Sequence, residues 1–389
     1  MCAVPARPLA LMILMTLLPW GAMHAHESNP ITQAETSYTE PALPVASGTS
    51  AASASTDPGE KSASRSLPAD YSGRDIDAEW RKEAADRIEE HRKAELTILV
   101  TDAEGKPIDE ADVGIKLKQH SFRFGTVLSV EFPPDQPGPT VSPESKKPAK
   151  ESESGQSVAV PAQKLNAEIP AGTRFSEDDR STYREKLFEL FNTASPRDKA
   201  AASNDQMTAW LRSRGFLSDF EPAQVQTVPA SYTVNDLKPP EELMTDVMKL
   251  QKETKLPIAV RRYSLAVDPA NSEELQLQAD YTRDFLTVMF SIPEVREVSI
   301  DGFWAPVCEV KGWALFGKDW SMRPVGRIYA ELVKRVWSTN EEALTDAAGK
   351  VKIRGFIGVY RISVAVGSRT KTVTAVLPEN GAEIRIQLD

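Results

Sequence analysis

The sequence predicts an α/β fold flanked by small all-β modules, and three observations carry that expectation. Residues 256–337 alternate strictly between apolar strand patterns at 256–265 and 295–303 and helical patterns at 273–291 and 324–337. That rhythm implies parallel strands joined by helical crossovers. From Asp346 the pattern shortens to period-two runs at 350–354, 358–366, 370–377 and 382–388, which read as an antiparallel β module. Ahead of the α/β region, Ala94 to Val100 alternates in the same way.

Leu9 to Trp20 is a short apolar run behind Arg7, followed by small residues up to Ala25. It is too short to span a bilayer and has the form of a signal peptide, so residues 1–25 are expected to be removed on export to the periplasm or beyond. Residues 26–78 are rich in Ser, Ala, Thr, Pro and Glu and read as a disordered linker. Residues 79–121 hold a charged helix at 79–93, the alternating strand, a turn at Asp102 to Pro107 and a strand at 112–118. A further strand at 121–127 opens the α/β region, 122–132. Residues 133–172, rich in Pro, Ser, Lys and Glu, read as a low-complexity insertion. The α/β region resumes over 173–338. Helical patterns occupy 181–191 and 200–214, and another begins at Pro239-Pro240-Glu241-Glu242, where prolines and acids suit a first turn. Residues 339–389 form the C-terminal β module. Within it Thr345-Asp346-Ala347-Ala348-Gly349-Lys350 echoes Thr101-Asp102-Ala103-Glu104-Gly105-Lys106, which predicts two similar turns.

Composition removes several function classes. The 389 residues carry a net charge of −10, which offers no basic surface for nucleic acid. With Cys2 in the signal-like segment, Cys308 stands alone and no internal disulfide is expected. No histidine follows His120, which excludes a His-based triad or His-rich metal site from the C-terminal two-thirds. Walker and dinucleotide glycine motifs are absent, and no cofactor, metal or membrane span is expected.

A set of ordered motifs then carries a resemblance. They are Phe122-Arg123-Phe124-Gly125-Thr126, Phe191-Asn192-Thr193-Ala194, Leu256-Pro257-Ile258, Gln278-Ala279-Asp280-Tyr281, Phe290-Ser291-Ile292-Pro293-Glu294-Val295, Gly302-Phe303-Trp304 and Asp319-Trp320-Ser321-Met322-Arg323-Pro324. In this order, over roughly 95–389, they resemble family 10 glycoside hydrolases, mostly endo-β-1,4-xylanases on a (β/α)8 barrel. The resemblance assigns them to barrel strands one, two, seven and eight and the elements around them. Strands three to six have no counterpart. Strands seven, eight, one and two are neighbours in a closed barrel, so the resemblance implies an incomplete barrel of four contiguous strands. Its open edges, at strands two and seven, invite cover by residues 215–238 or by a second copy in a homodimer.

The departures bear on chemistry. That family places a nucleophilic glutamate after Leu-Pro-Ile; here Arg262 stands at the nucleophile position within Arg261-Arg262-Tyr263-Ser264. A guanidinium cannot attack an anomeric carbon, and its charge opposes an oxocarbenium-like transition state. The acid/base Asn-Glu pair of strand four has no match. The sugar-contacting run after strand two is replaced by Arg197-Asp198-Lys199-Ala200-Ala201-Ala202, and Asp301 stands where the resemblance places a tryptophan. No catalytic residue is therefore assigned. Trp304 and Trp313 are the candidates for stacking on a sugar, with core packing as the alternative; Trp320 reads first as packing. Arg261 and Arg262 read as solvated or paired with an acid such as Asp301, with an acidic sugar as the alternative, and Cys308 reads as a small apolar filler. Three functions stay open: a non-catalytic relative binding xylan or a partner, an active retaining β-1,4-xylanase with relocated carboxylates such as Glu221, and a structural remnant without a ligand.

Overall fold

The computed structural model describes residues 70–128, 175–197, 203–217 and 225–389. The signal-like segment, linker residues 26–69, the insertion 133–172 and Glu221 lie outside the described residues. In chain order the elements are α1 (Glu79–Arg92), β1 (Lys93–Thr101), β2 (Asp112–His120), β3 (Arg123–Leu128), α2 (Glu177–Leu190), β4 (Thr193–Pro196), α3 (Ser203–Ser213), β5 (Gln226–Thr233) and α4 (Pro240–Thr254). They continue with β6 (Ile258–Ala266), α5 (Ser272–Ser291), β7 (Val295–Ile300), α6 (Pro324–Glu331), β8 (Asn340–Leu344), β9 (Lys350–Phe356), β10 (Gly358–Val366), β11 (Arg369–Leu377) and β12 (Ala382–Gln387). The fold class is mixed α/β. None of the described helices is long and apolar enough to cross a membrane.

The sheet that positions the site has five strands in the order β4-β3-β7-β6-β5, and each pairing is parallel. The strands that the resemblance numbers two, one, eight and seven lie side by side in that order. Four strands were expected, and β5 is the addition: residues from 215–238 extend the sheet beside β6. Its sequence hides it, because Pro229 interrupts a polar run and cannot donate to a ladder, which confines such strands to edges. The ladder shifts register at that proline. The opposite edge strand, β4, ends in Pro196.

Helix α5 is the support on which this sheet rests. Asn271 caps it by accepting from the Glu273 and Glu274 N–H groups, and two acids in the first turn suit its dipole. Tyr263 of β6 stacks on Phe285 at 4.2 Å between centroids. Residues 70–78, expected to continue the linker, pack on this helix instead. Tyr71 donates to the buried Asp284 at 2.7 Å, Arg81 clasps the same carboxylate at 2.6 and 2.7 Å, and Arg74 reaches Asp280 at 2.8 Å. At the other end of α5, buried Arg92 donates to the Phe290, Ile292 and Val295 carbonyls at 2.7, 2.5 and 2.8 Å. A cation satisfying orphan carbonyls at a helix C-terminus is favourable, although burial pulls this guanidinium down to about 9.

The two β modules, read as separate in the sequence, share their sheets. One sheet is β12-β1-β9 and the other β11-β10-β2-β8. A backbone strand needs partners for its donors and acceptors, and β1 finds them in β9 and β12, more than 250 positions downstream. Inward residues of both sheets, among them Leu96, Ile98, Val113, Ile115, Tyr360, Ile362 and Ile386, make one core. The echoed hexapeptides form matching turns. Asp102 bonds Lys106 and Gly105 through its backbone, and Asp346 bonds Lys350 and Gly349 in the same pattern. Gly349 has φ +71°, and a Cβ there would meet the Val100 carbonyl at 2.6 Å, so glycine is required. An aromatic cluster of Phe122, Phe124, Phe290, Trp337 and Phe356 around His120 joins the sandwich to the parallel sheet.

Candidate functional site

Parallel strands leave their carboxyl ends at a common edge, where open α/β sheets place ligands. Three pieces of this chain meet there: Arg197 after β4, Arg262 within β6, and Asp301 after β7. A bulge in β6 makes the meeting possible. The ladder to β7 shifts register between Val260 and Tyr263. Arg262 takes φ +58°, a left-handed conformation costing a side-chain-bearing residue about 1–2 kcal/mol. The shift lets Val260, Tyr263 and Leu265 all stay in the apolar core while Arg262 turns outward.

Asp301 is buried and holds both cations. Arg262 Nε lies 3.0 Å from its Oδ1, and an Arg197 terminal nitrogen 3.1 Å from the same oxygen. Glu309 closes the group from outside, 2.9 Å from Arg197 and 3.6 Å from Arg262. Two guanidinium groups thus face two carboxylates. Below them, Arg261 pairs at 2.9 Å with Glu297, which is fully buried in β7. Gly302, at φ +80°, turns the chain beside Cys308, whose sulfur would lie 3.0 Å from an added Cβ. Burial pushes the Cys308 thiol up to about 12, which suits the filler role and not a nucleophile.

The two tryptophans named for sugar stacking are placed otherwise. Trp304 and Trp313 are each only 1% exposed. Trp304 stacks at 4.5 Å on Trp320, and Trp313 packs edge-on against Tyr263 while its indole N–H points to the Gly302 carbonyl at 3.3 Å. A pyranose needs an open indole face, and neither presents one here. Trp320 is half-buried and anchors α2 through Asp179 at 2.9 Å.

Nucleophilic or acid/base work on a glycoside needs carboxyl groups turned toward the substrate. At this edge both carboxylates are turned onto guanidinium groups, and the arrangement is one that holds carboxylates. Sequence reasoning anticipated the Arg262–Asp301 pair but missed Arg197 and Glu309 as its partners. It also missed Glu297, which the neighbouring Arg296 and Ser299 make look like part of a mixed, half-solvated strand.

No family model matches the chain. The curated anti-sigma-I factor RsgI6 of Acetivibrio thermocellus is 24% identical, over 75% of this chain and 48% of that protein. The chain therefore spans about half the length of the curated relative it matches. Among solved structures, xylanase 10B of Thermotoga petrophila in complex with xylobiose aligns with a TM-score of 0.27 and 14% identity, over 35% of this chain and 43% of that one. The endo-1,4-beta-xylanase XylE of Penicillium canescens gives 0.26 and 15%, over 34% and 41%. Native xylanase 10B of Thermotoga maritima gives 0.26 and 15%, over 35% and 44%. The likeness to these xylanases is weak and partial.

Proposed function

We propose that this chain is an exported, non-catalytic relative of family 10 glycoside hydrolases, an incomplete barrel that has kept a polysaccharide-linked role without cutting sugars. The observation that carries the reading is the ion pairing of Arg262 with Asp301. Arg262 occupies the position that the sequence resemblance gives to the nucleophile, and it lies in an ion-pair group with Asp301, Arg197 and Glu309. Neither carboxylate is left facing outward alone, as a retaining mechanism requires of its pair. The buried indoles favour a second reading beside it, a structural or interaction module that binds no sugar.

The full chain separates these readings. Incubated with an aryl β-xyloside, it is expected to release no more aglycone than buffer does. Release that disappears in Glu221→Gln would establish instead an enzyme with a relocated acid. Retardation in a xylan-containing native gel supports the polysaccharide role, and unaltered migration supports the structural one.

A further inference from the structure

We infer that the carboxyl edge of the parallel sheet is a receptor for a carboxylate-bearing sugar, occupied in this structure by the chain's own Glu309. Arg197 follows β4 and Arg262 lies in β6, and the buried Asp301 pins both. Two cations held by one buried acid leave one net positive charge, and Glu309 is the group that neutralises it. Glu309 is a loosely held occupant. Its side chain is 54% exposed; among the described residues it lies within hydrogen-bond distance of Arg197 alone, and it stands 3.6 Å from Arg262. Arg197 is largely buried and Glu309 is the exposed partner, so Glu309 is held weakly and a carboxylate from solution can take its place. The Arg262 guanidinium is half-exposed; Nε and one terminal nitrogen lie on Asp301 at 3.0 and 3.5 Å, and its outer edge of terminal N–H donors is left for a second carboxylate. Its left-handed backbone is the kind of outlier that clusters at ligand sites. Location agrees, since ligands of parallel sheets bind at the carboxyl ends of the strands.

The carboxylate part of the inference rests on this geometry; the sugar part rests on the polysaccharide-linked reading above. Titration calorimetry on the full chain with glucuronate, succinate and glucose tests both. Glucuronate is expected to bind and glucose not. Glu309→Ala is expected to tighten glucuronate roughly threefold, the scale of an exposed ion pair. Arg262→Ala is expected to weaken it at least about tenfold, as loss of charge-assisted hydrogen bonds does. Thermal melts of each variant check that the fold persists, and Arg262→Lys, which keeps charge without the fork, is expected to recover only part of the affinity. Equal binding of succinate and glucuronate keeps the receptor and removes the sugar from it. Failure of both carboxylates to bind Glu309→Ala overturns the receptor itself.

Discussion

Arg262 makes opposing contributions to stability. Its left-handed backbone costs about 1–2 kcal/mol, and its half-exposed pair with Asp301 returns a similar or smaller amount. Arg262→Gly removes both at once, so its unfolding free energy from urea titration is expected to differ from the parent's by less than about 1 kcal/mol. Arg262→Glu, which puts a carboxylate back at the nucleophile position, sets a third acid beside Asp301 and Glu309 with Arg197 alone to neutralise them. It is expected to lower stability and to restore no hydrolysis. Asp284 presents the contrasting case. It is buried and holds Tyr71, Arg81 and Arg283 together. Asp284→Ala leaves partly buried cations without their acid and is expected to cost about 3–5 kcal/mol in urea unfolding; a change under about 1 kcal/mol would contradict the clamp. At this scale the sequence was half legible. Arg262 and Asp301 were marked as out of place by the resemblance. Glu309 was silent, because its contact with Arg197 joins residues 112 positions apart on two surface loops.

Among the elements, β2 ends in a buried histidine that reports on packing. His120 accepts from the Phe122 N–H at 2.9 Å through Nδ1 and is enclosed by phenylalanines. Burial, with a smaller push from Arg92, lowers it to about 3. The unfolded chain takes this proton near pH 6.5, before the folded one does. Stability is therefore full above that pH and drains as pH falls from about 6.5 toward 3, by up to about 1.4 kcal/mol per unit from this group. Urea midpoints measured between pH 7 and 5 for the parent and for His120→Gln are expected to diverge, the parent falling more steeply. Parallel curves would remove His120 as the cause.

The edge strands carry their own prediction. β4 holds Pro196 and β5 holds Pro229, and a proline on an edge denies a second strand one ladder hydrogen bond. Size-exclusion with light scattering on residues 70–389 is expected to give a monomer; a dimer would mean that the edges pair after all. The same proline explains why β5 went unread, since polar residues around an internal proline look like loop. Strand β8, Asn-Glu-Glu-Ala-Leu, was missed for a related reason: its residues are poor strand formers, and its pairing with β2 makes it a strand.

At the scale of the molecule, local pattern found the elements and misjudged how they are shared. The period-two runs at 94–100 and 350–388 were legible, yet nothing local says that β1 sits between β9 and β12. Sheet partnership is settled by burial of complementary faces across the whole chain. It follows that the two ends of the described chain stand or fall together. A fragment ending at residue 338 strips β1 and β2 of their partners and exposes the sandwich core, so it is expected to be insoluble or to lose cooperative unfolding. A soluble fragment 70–338 with a single sharp transition would restore the separate-module picture.

On the proposed reading, the carboxyl edge of the parallel sheet holds carboxylates and cuts no glycoside. The most direct measurement is the rate of aryl β-xyloside hydrolysis by the purified full chain, beside Arg262→Glu and a buffer control. All three rates are expected to coincide. Turnover by the parent chain that scales with protein concentration would contradict that reading.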